Sequence, residues 1–134
     1  MTDSPRPRSG DRPSAAIRVA MLPRDTNAMG TIFGGIILSY IDQAGAVEGH
    51  RYTTGRLVTV AMREVEFLHP VYVGDLVSFY AETVRVGTTS VSVKVTVEAE
   101  RQTPDRSRVK VTEAEVVYVH VDDKNRPVPL TRTD

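Results

Sequence analysis

Asp42 is the one carboxylate inside a run from Ile36 to Val47 that is otherwise rich in apolar residues: Ile36, Ile37, Leu38, Ile41, Ala44, Ala46 and Val47. Over residues 34–50 these side chains occupy nearly every side of a helical wheel, so the spacing predicts a helix buried all round. A carboxylate in such a helix loses hydration, which is costly unless something partners it or uses it. Two kinds of chemistry are open to it: taking a proton from water as a general base, or attacking an electrophilic carbon directly. The plainer role is an aspartate paired with an arginine or a backbone donor.

Upstream, Gly34-Gly35 opens the helix after the loop Asn27-Ala28-Met29-Gly30-Thr31-Ile32-Phe33. The first N–H groups of a helix have no intrahelical acceptor and sit at the positive end of its dipole, so Gly34 and Gly35 are suited to receive an oxygen that becomes negative. Glycine also lets a substrate approach the backbone closely, although tight packing alone explains a glycine equally well. Asn27 adds a side-chain amide donor; an Asx turn is its competing role.

The remaining composition removes several chemistries. The 134 residues contain no cysteine, which excludes disulfides, thiolate metal sites and a Cys nucleophile. His50, His69 and His120 are too scattered for a metal site, and no G-x-S-x-G elbow is present. Seventeen basic and seventeen acidic side chains cancel without a long block of either sign, so neither nucleic acid nor a membrane is an expected partner. The length allows one domain, expected over residues 15–130. Residues 1–14, with Pro5, Pro7 and Pro13 among Arg6, Arg8 and Arg12, read as a disordered tail of a cytoplasmic protein lacking a secretory h-region, and 131–134 as a second tail.

The elements that must position these groups are a short strand at 17–22, the helix, and then four long strands. The strand at 57–68 changes parity between Val58-Val60-Met62 and Val65-Phe67, which predicts a bulge near Arg63-Glu64. A second strand covers 76–86. In a third, at 91–100, Val91, Val93, Val95, Val97 and Ala99 alternate with polar residues, so one face is wet. The last, at 109–121, is apolar on both faces at Val116-Val117-Tyr118-Val119, as expected of a central or interface strand. Gly87-Thr88-Thr89-Ser90 and 102–108 are hairpin connections. The class is α+β, an antiparallel sheet wrapped around one long central helix.

With Asn27-x-x-Gly30-x-Ile32-Phe33-Gly34-Gly35, Asp42-Gln43-Ala44-Gly45, Val58-Thr59-Val60, Phe67-Leu68-His69-Pro70-Val71, Val73-Gly74-Asp75 and Gly87-Thr88-Thr89-Ser90-Val91 in this order, the chain resembles the hotdog-fold acyl-CoA thioesterases of the YciA-like and cytosolic acyl-CoA hydrolase group. The resemblance covers roughly residues 22–130. It implies hydrolysis of acyl-CoA to free acid and CoA without metal or organic cofactor, with the catalytic asparagine and aspartate at Asn27 and Asp42. It also implies homo-oligomers built from hotdog dimers, the dimer as catalytic unit and a hexamer as a trimer of dimers. Substrate contacts are expected at Gly30, Phe33 and the turn Thr88, Thr89 and Ser90, with Arg63, Arg85 and Lys94 as cations for the CoA phosphates, although solvated strand charges are the ordinary alternative. His69 departs from the arginine that relatives often carry before the proline, which puts a phosphate contact there in doubt.

Spacing adds one expectation. Asp42 lies about 12 Å along the helix from Gly34, too far for one acyl carbon to touch both in the same chain. A composite site, with Asn27 and the glycine donors from one subunit and Asp42 from its partner, removes the difficulty. Two other readings stay open: a hotdog hydratase or dehydratase, which would need a histidine beside the acid, and a non-catalytic acyl-CoA binding module, which could dispense with the acid.

Overall fold

The computed structural model describes residues 14–130. The tail expectations, and Arg6, Arg8 and Arg12 with them, lie outside the described residues apart from Ser14. The elements are β1 (Ile17–Ala20), α1 (Gly34–Gly49), β2 (Arg56–Arg63), β3 (Leu76–Val86), β4 (Ser90–Glu100) and β5 (Arg108–Val121), with a short 3-10 turn at Pro23–Asp25. The strands form one sheet in the order β1-β3-β4-β5-β2, every neighbouring pair antiparallel. This is the hotdog arrangement that the sequence resemblance implied.

Alternation in β4 sets the sheet's two faces. Val91, Val93, Val95, Val97 and Ala99 are fully buried, while Ser92, Lys94, Thr96 and Glu98 stand on the other side as the pleat requires. Against the buried face α1 lays Ile37, Ile41 and Ala44, whose i, i+4, i+7 spacing makes one stripe. Burying each of the two isoleucine side chains contributes about 1.5–3 kcal/mol. The helix can approach closely because Gly45 has no Cβ, which would sit 2.2 Å from the Tyr118 hydroxyl.

Two sequence expectations are corrected. The helix is not buried all round: the sheet covers one side, and Gly35, Ser39, Gln43 and Val47 on the other are exposed, Val47 by 57%. The phase change in β2 lies three residues earlier than expected, in the register shift between Thr59 and Ala61, with Val60 as the extra residue. The parity signal was real, but it also contained the end of the strand, because β2 stops at Arg63 and Glu64 takes the left-handed φ of 59°. Residues 64–71 then run along β5 without regular pairing, held by Leu68 N–H donating to the Val111 carbonyl at 2.7 Å. Among the described residues, no helix is long and apolar enough to cross a membrane.

Candidate active site

The loop before α1 is built around Asn27. Its backbone N–H donates to the Thr31 carbonyl at 2.8 Å, and Gly30 closes the turn at φ +88°, a region glycine enters without strain. The Asn27 side chain does form an Asx turn: Oδ1 accepts from Met29 N–H at 2.8 Å and Thr31 N–H at 3.2 Å. Its Nδ2 donates to Thr31 Oγ1 at 3.0 Å. A carboxamide has two N–H donors, so this arrangement fixes the group and leaves one donor for another acceptor. The structural role and a catalytic one are therefore compatible.

The same loop leads into α1 with Phe33 as N-cap and no side-chain cap. Gly34 opens into a cleft of about 350 Å³ whose walls include Thr31, Ile37, Phe67, Leu68 and Pro70. The Phe67 ring stands 3.8 Å from where a Cβ on Gly34 would be. The far wall is held in place by Ile32 N–H on the Val71 carbonyl at 2.8 Å and Arg101 Nη2 on the Pro70 carbonyl at 3.0 Å. Arg101 is paired with the buried Asp75 carboxylate, which also accepts Tyr72 N–H at 2.9 Å. Of the predicted residues Gly34 lines the cleft itself, Asn27 is tied to Thr31 on its wall, and Phe33 and Gly35 flank Gly34 in the chain.

Asp42 is not at that cleft. It lies two turns further along α1, half-buried, facing β2 and β5. Thr59 Oγ1 donates to Asp42 Oδ1 at 2.7 Å, and the buried Tyr118 hydroxyl donates to the Asp42 backbone carbonyl at 2.6 Å. Removal from water pushes the Tyr118 hydroxyl far above its ordinary value, and the neighbouring Asp42 charge pushes the same way. Among the described residues no cation reaches the Asp42 carboxylate, and Oδ2 has no protein donor. The paired-with-arginine role is therefore not what holds it. Thr59 and Tyr118 were not among the sequence-predicted site residues. The available signal for Thr59 was a lone hydroxyl between Val58 and Val60; Tyr118 was marked only as part of the apolar run Val116-Val117-Tyr118-Val119, with no sign that its hydroxyl would meet the helix.

The other predicted positions are dispersed. Thr88, Thr89 and Ser90 form the β3–β4 turn, where the Thr89 carbonyl accepts His120 N–H at 2.8 Å and the Thr88 carbonyl accepts Leu130 N–H at 2.9 Å. The turn leads into Val91, which pairs with Tyr118, the residue whose hydroxyl meets the Asp42 carbonyl. Arg63 and Lys94 flank the same Glu115 from the two strands beside β5, and Arg85 stands apart from them. Lys94 pairs with Glu82 on one side and Glu115 on the other, Arg63 faces Glu115, and Arg85 faces Ser92. Lys94 also lines a hollow of about 410 Å³ that includes Glu64, Glu82, Glu113 and Glu115, surroundings that repel a phosphate. Each histidine turns Nδ1 to a backbone carbonyl: His50 to Thr53, His69 to Lys110, His120 to Val128 and Pro129.

Comparison with known proteins gives the family. The sequence model of the thioesterase superfamily matches residues 29–104. The chain is 43% identical over 118 residues to the acyl-CoA thioester hydrolase YciA of Salmonella typhimurium, covering 85% of this chain and 89% of that one. A hexameric hotdog fold thioesterase of Campylobacter jejuni superposes with a TM-score of 0.83 at 41% identity, over 88% of this chain and 90% of that one. A hexameric thioesterase from Yersinia pestis does so with a TM-score of 0.81 at 38% identity, over 87% and 94%.

Proposed function

The chain belongs to the thioesterase superfamily and is an acyl-CoA thioester hydrolase, and we propose that it cleaves its substrate in a site shared between two copies of itself. The observation that carries this reading is Asp42: a carboxylate in an apolar helix, oriented by Thr59 through Oδ1, with Oδ2 unengaged and no counter-charge among the described residues. A structural aspartate would use both oxygens; this one keeps a basic atom available.

In the proposed reaction Asp42 Oδ2 takes a proton from water as the water oxygen attacks the thioester carbon. The carbonyl oxygen becomes negative and is received by the N–H groups of Gly34 and Gly35 and by the remaining Asn27 amide donor. When the tetrahedral species collapses, the C–S bond breaks, the proton passes to sulfur, and carboxylic acid and CoA leave. No metal or organic cofactor takes part. Direct attack by Asp42 would instead form an anhydride; in a single turnover in ¹⁸O-water, label in the Asp42 peptide marks the anhydride route with water attacking the aspartyl carbonyl, whereas attack at the acyl carbon, like the general-base route, puts the label in the released acid.

Gly34 is about 12 Å from Asp42 along the helix, so both reach one carbon only if they come from different chains. The surface supports such an assembly. Met29, Phe33, Val47 and Val60 are more than half exposed, and β2 ends the sheet with an unpaired edge that a second copy can cover. We place a dimer as the catalytic unit, with a trimer of dimers as the full assembly.

The test is release of free thiol from acyl-CoA esters, followed with a colorimetric thiol reagent. Asp42→Asn is expected to lose about 10³-fold in kcat while keeping its fold by circular dichroism. Mixed oligomers of Asn27→Ala and Asp42→Ala chains should regain part of the activity, and complete inactivity of the mixture overturns the shared site. Water addition to an enoyl-CoA would replace this reading with a hydratase, against which stands the binding of all three histidines to backbone carbonyls away from Asp42.

A further inference from the structure

Immediately before β3 and immediately after β4, Asp75 and Arg101 form the most buried ion pair among the described residues, with 4% and 15% of their side chains exposed. Asp75 Oδ2 accepts from Arg101 Nη1, and Tyr72 N–H donates to the same oxygen at 2.9 Å. Arg101 Nη2 donates to the Pro70 carbonyl at 3.0 Å, and the guanidinium stands 4.9 Å from the centre of the Tyr72 ring. We propose that Arg101 is a positioning residue for the hydrolysis: seated on Asp75, it sets where the cleft wall at 70–71 stands and, through that wall, the loop that presents the Gly34 N–H. The proposal rests on the hydrolase reading above and adds what holds the donor end of the site in place.

Both members of the pair have a fixed base. The Asp75 carbonyl accepts Met21 N–H at 3.0 Å, Gly74 N–H donates to the Met21 carbonyl at 2.9 Å, and Arg101 N–H donates to the Ser107 carbonyl at 2.9 Å. Pro70 has no N–H, so its carbonyl is its one main-chain hydrogen-bonding group, and Arg101 occupies it. The next carbonyl, that of Val71, accepts Ile32 N–H at 2.8 Å, and Ile32 and Val71 are both buried. Ile32 lies two residues before Gly34. A shift of Pro70 is thus passed through one residue and one hydrogen bond to the loop that ends in the donors.

Stability alone does not account for the pair. Apolar side chains of the same volume often match a buried ion pair in stability, because the desolvation of two charges offsets their attraction. A planar guanidinium supplies what an apolar group does not, which is direction: two N–H vectors at fixed angles, one on Asp75 and one on Pro70. Further back, the same wall is tied to β5 by the Thr112 hydroxyl on the Glu66 carbonyl at 2.7 Å and by Leu68 N–H on the Val111 carbonyl. Those ties end at His69, whose Nδ1 meets the Lys110 carbonyl at 3.0 Å. At Pro70 the tie is Arg101.

Three variants separate position from stability. Arg101→Met removes both donors and leaves the Asp75 carboxylate buried without its cation. Asp75→Asn/Arg101→Met removes that charge as well, while an amide oxygen at position 75 still accepts Tyr72 N–H, so stability is recovered and Pro70 stays untied. In both, kcat for an acyl-CoA should fall about tenfold with KM changed less, since misplaced donors act on the transition state. Thermal unfolding should show the double variant more stable than Arg101→Met at the same kcat. Arg101→Lys keeps a cation for Asp75 without the planar fork and should regain part of kcat. A double variant with wild-type kcat overturns the proposal, because the pair then serves the fold alone. Hydrogen exchange followed by mass spectrometry gives a readout free of catalysis: the peptide containing Ile32 should exchange faster in both variants that lack Arg101, while peptides of β4 containing Val93 and Val95 stay protected. Unchanged exchange at Ile32 breaks the link to the donor loop. A wild type that hydrolyses no acyl-CoA sinks the hydrolase reading, whereas an active wild type whose kcat ignores Arg101→Met sinks only the positioning role.

Discussion

The two halves of α1 are organised differently. At the N-terminal mouth the polar groups are backbone and amide donors held by their own loop: every bond that fixes Asn27 goes to a residue within four positions of it. The surrounding Met29, Phe33, Phe67 and Leu68 are exposed. Around Asp42, two turns on, the fixing bonds come from residues 17 and 76 positions away, and Gly45 and Tyr118 are buried against each other. Donors are thus placed by local geometry, whereas the acid is placed only when helix, β2 and β5 have assembled. A site that needs both must wait for the sheet and then for a second copy.

Perturbing each half separately breaks or sharpens this contrast. At the donor end, Asn27→Ala removes the amide and the ties of its turn, and kcat should fall about 10²-fold, the loss typical of one oxyanion donor; steady-state thiol release measures it, and an unchanged kcat would remove Asn27 from the chemistry. At the acid end, Gly45→Ala would set a Cβ 2.2 Å from the Tyr118 hydroxyl. Thermal unfolding should show about 1–3 kcal/mol of destabilisation from the forced shift, with activity falling as the helix moves. Thr59→Val keeps the shape of the side chain but frees Oδ1; kcat should drop about tenfold, the equivalent of about 1.4 kcal/mol for one charge-assisted hydrogen bond, with melting temperature nearly unchanged. If Thr59 only packs, kcat and KM will both stay put.

The smallest effect expected is that of Tyr118→Phe, about 1 kcal/mol at neutral pH for one buried hydrogen bond. Its pH dependence is the sharper signature. Burial raises the folded-state pKa of Tyr118 above its ordinary value near 10. The stabilisation is therefore complete below pH 10 and is lost as pH rises beyond it, because the unfolded phenol ionises first. Chemical denaturation at pH 8 and above pH 10 should show the gap between wild type and Tyr118→Phe narrowing at the alkaline end. A constant gap would mean that the hydroxyl meets water in the folded protein.

Much of this protein could be read from its sequence. Strict alternation from Val91 to Ala99 determined a half-buried strand, the run from residue 34 determined one long apolar helix, and Asn27, Gly34, Gly35 and Asp42 stood out as chemically capable at positions matching a thioesterase motif. These signals are periodic or local, and a 3.6- or 2-residue period is printed in the chain itself. What only the tertiary structure decided depends on groups distant in sequence meeting in space. The bulge at Val60 turns Thr59 toward Asp42; Tyr118 reaches the helix because Gly45 makes room; Lys94 is surrounded by glutamates from three other segments, while Arg18, Arg106 and Arg108 come together at Glu100. Side-chain identity says what a residue can do, but its partners are set by strand order and register, which no single segment specifies.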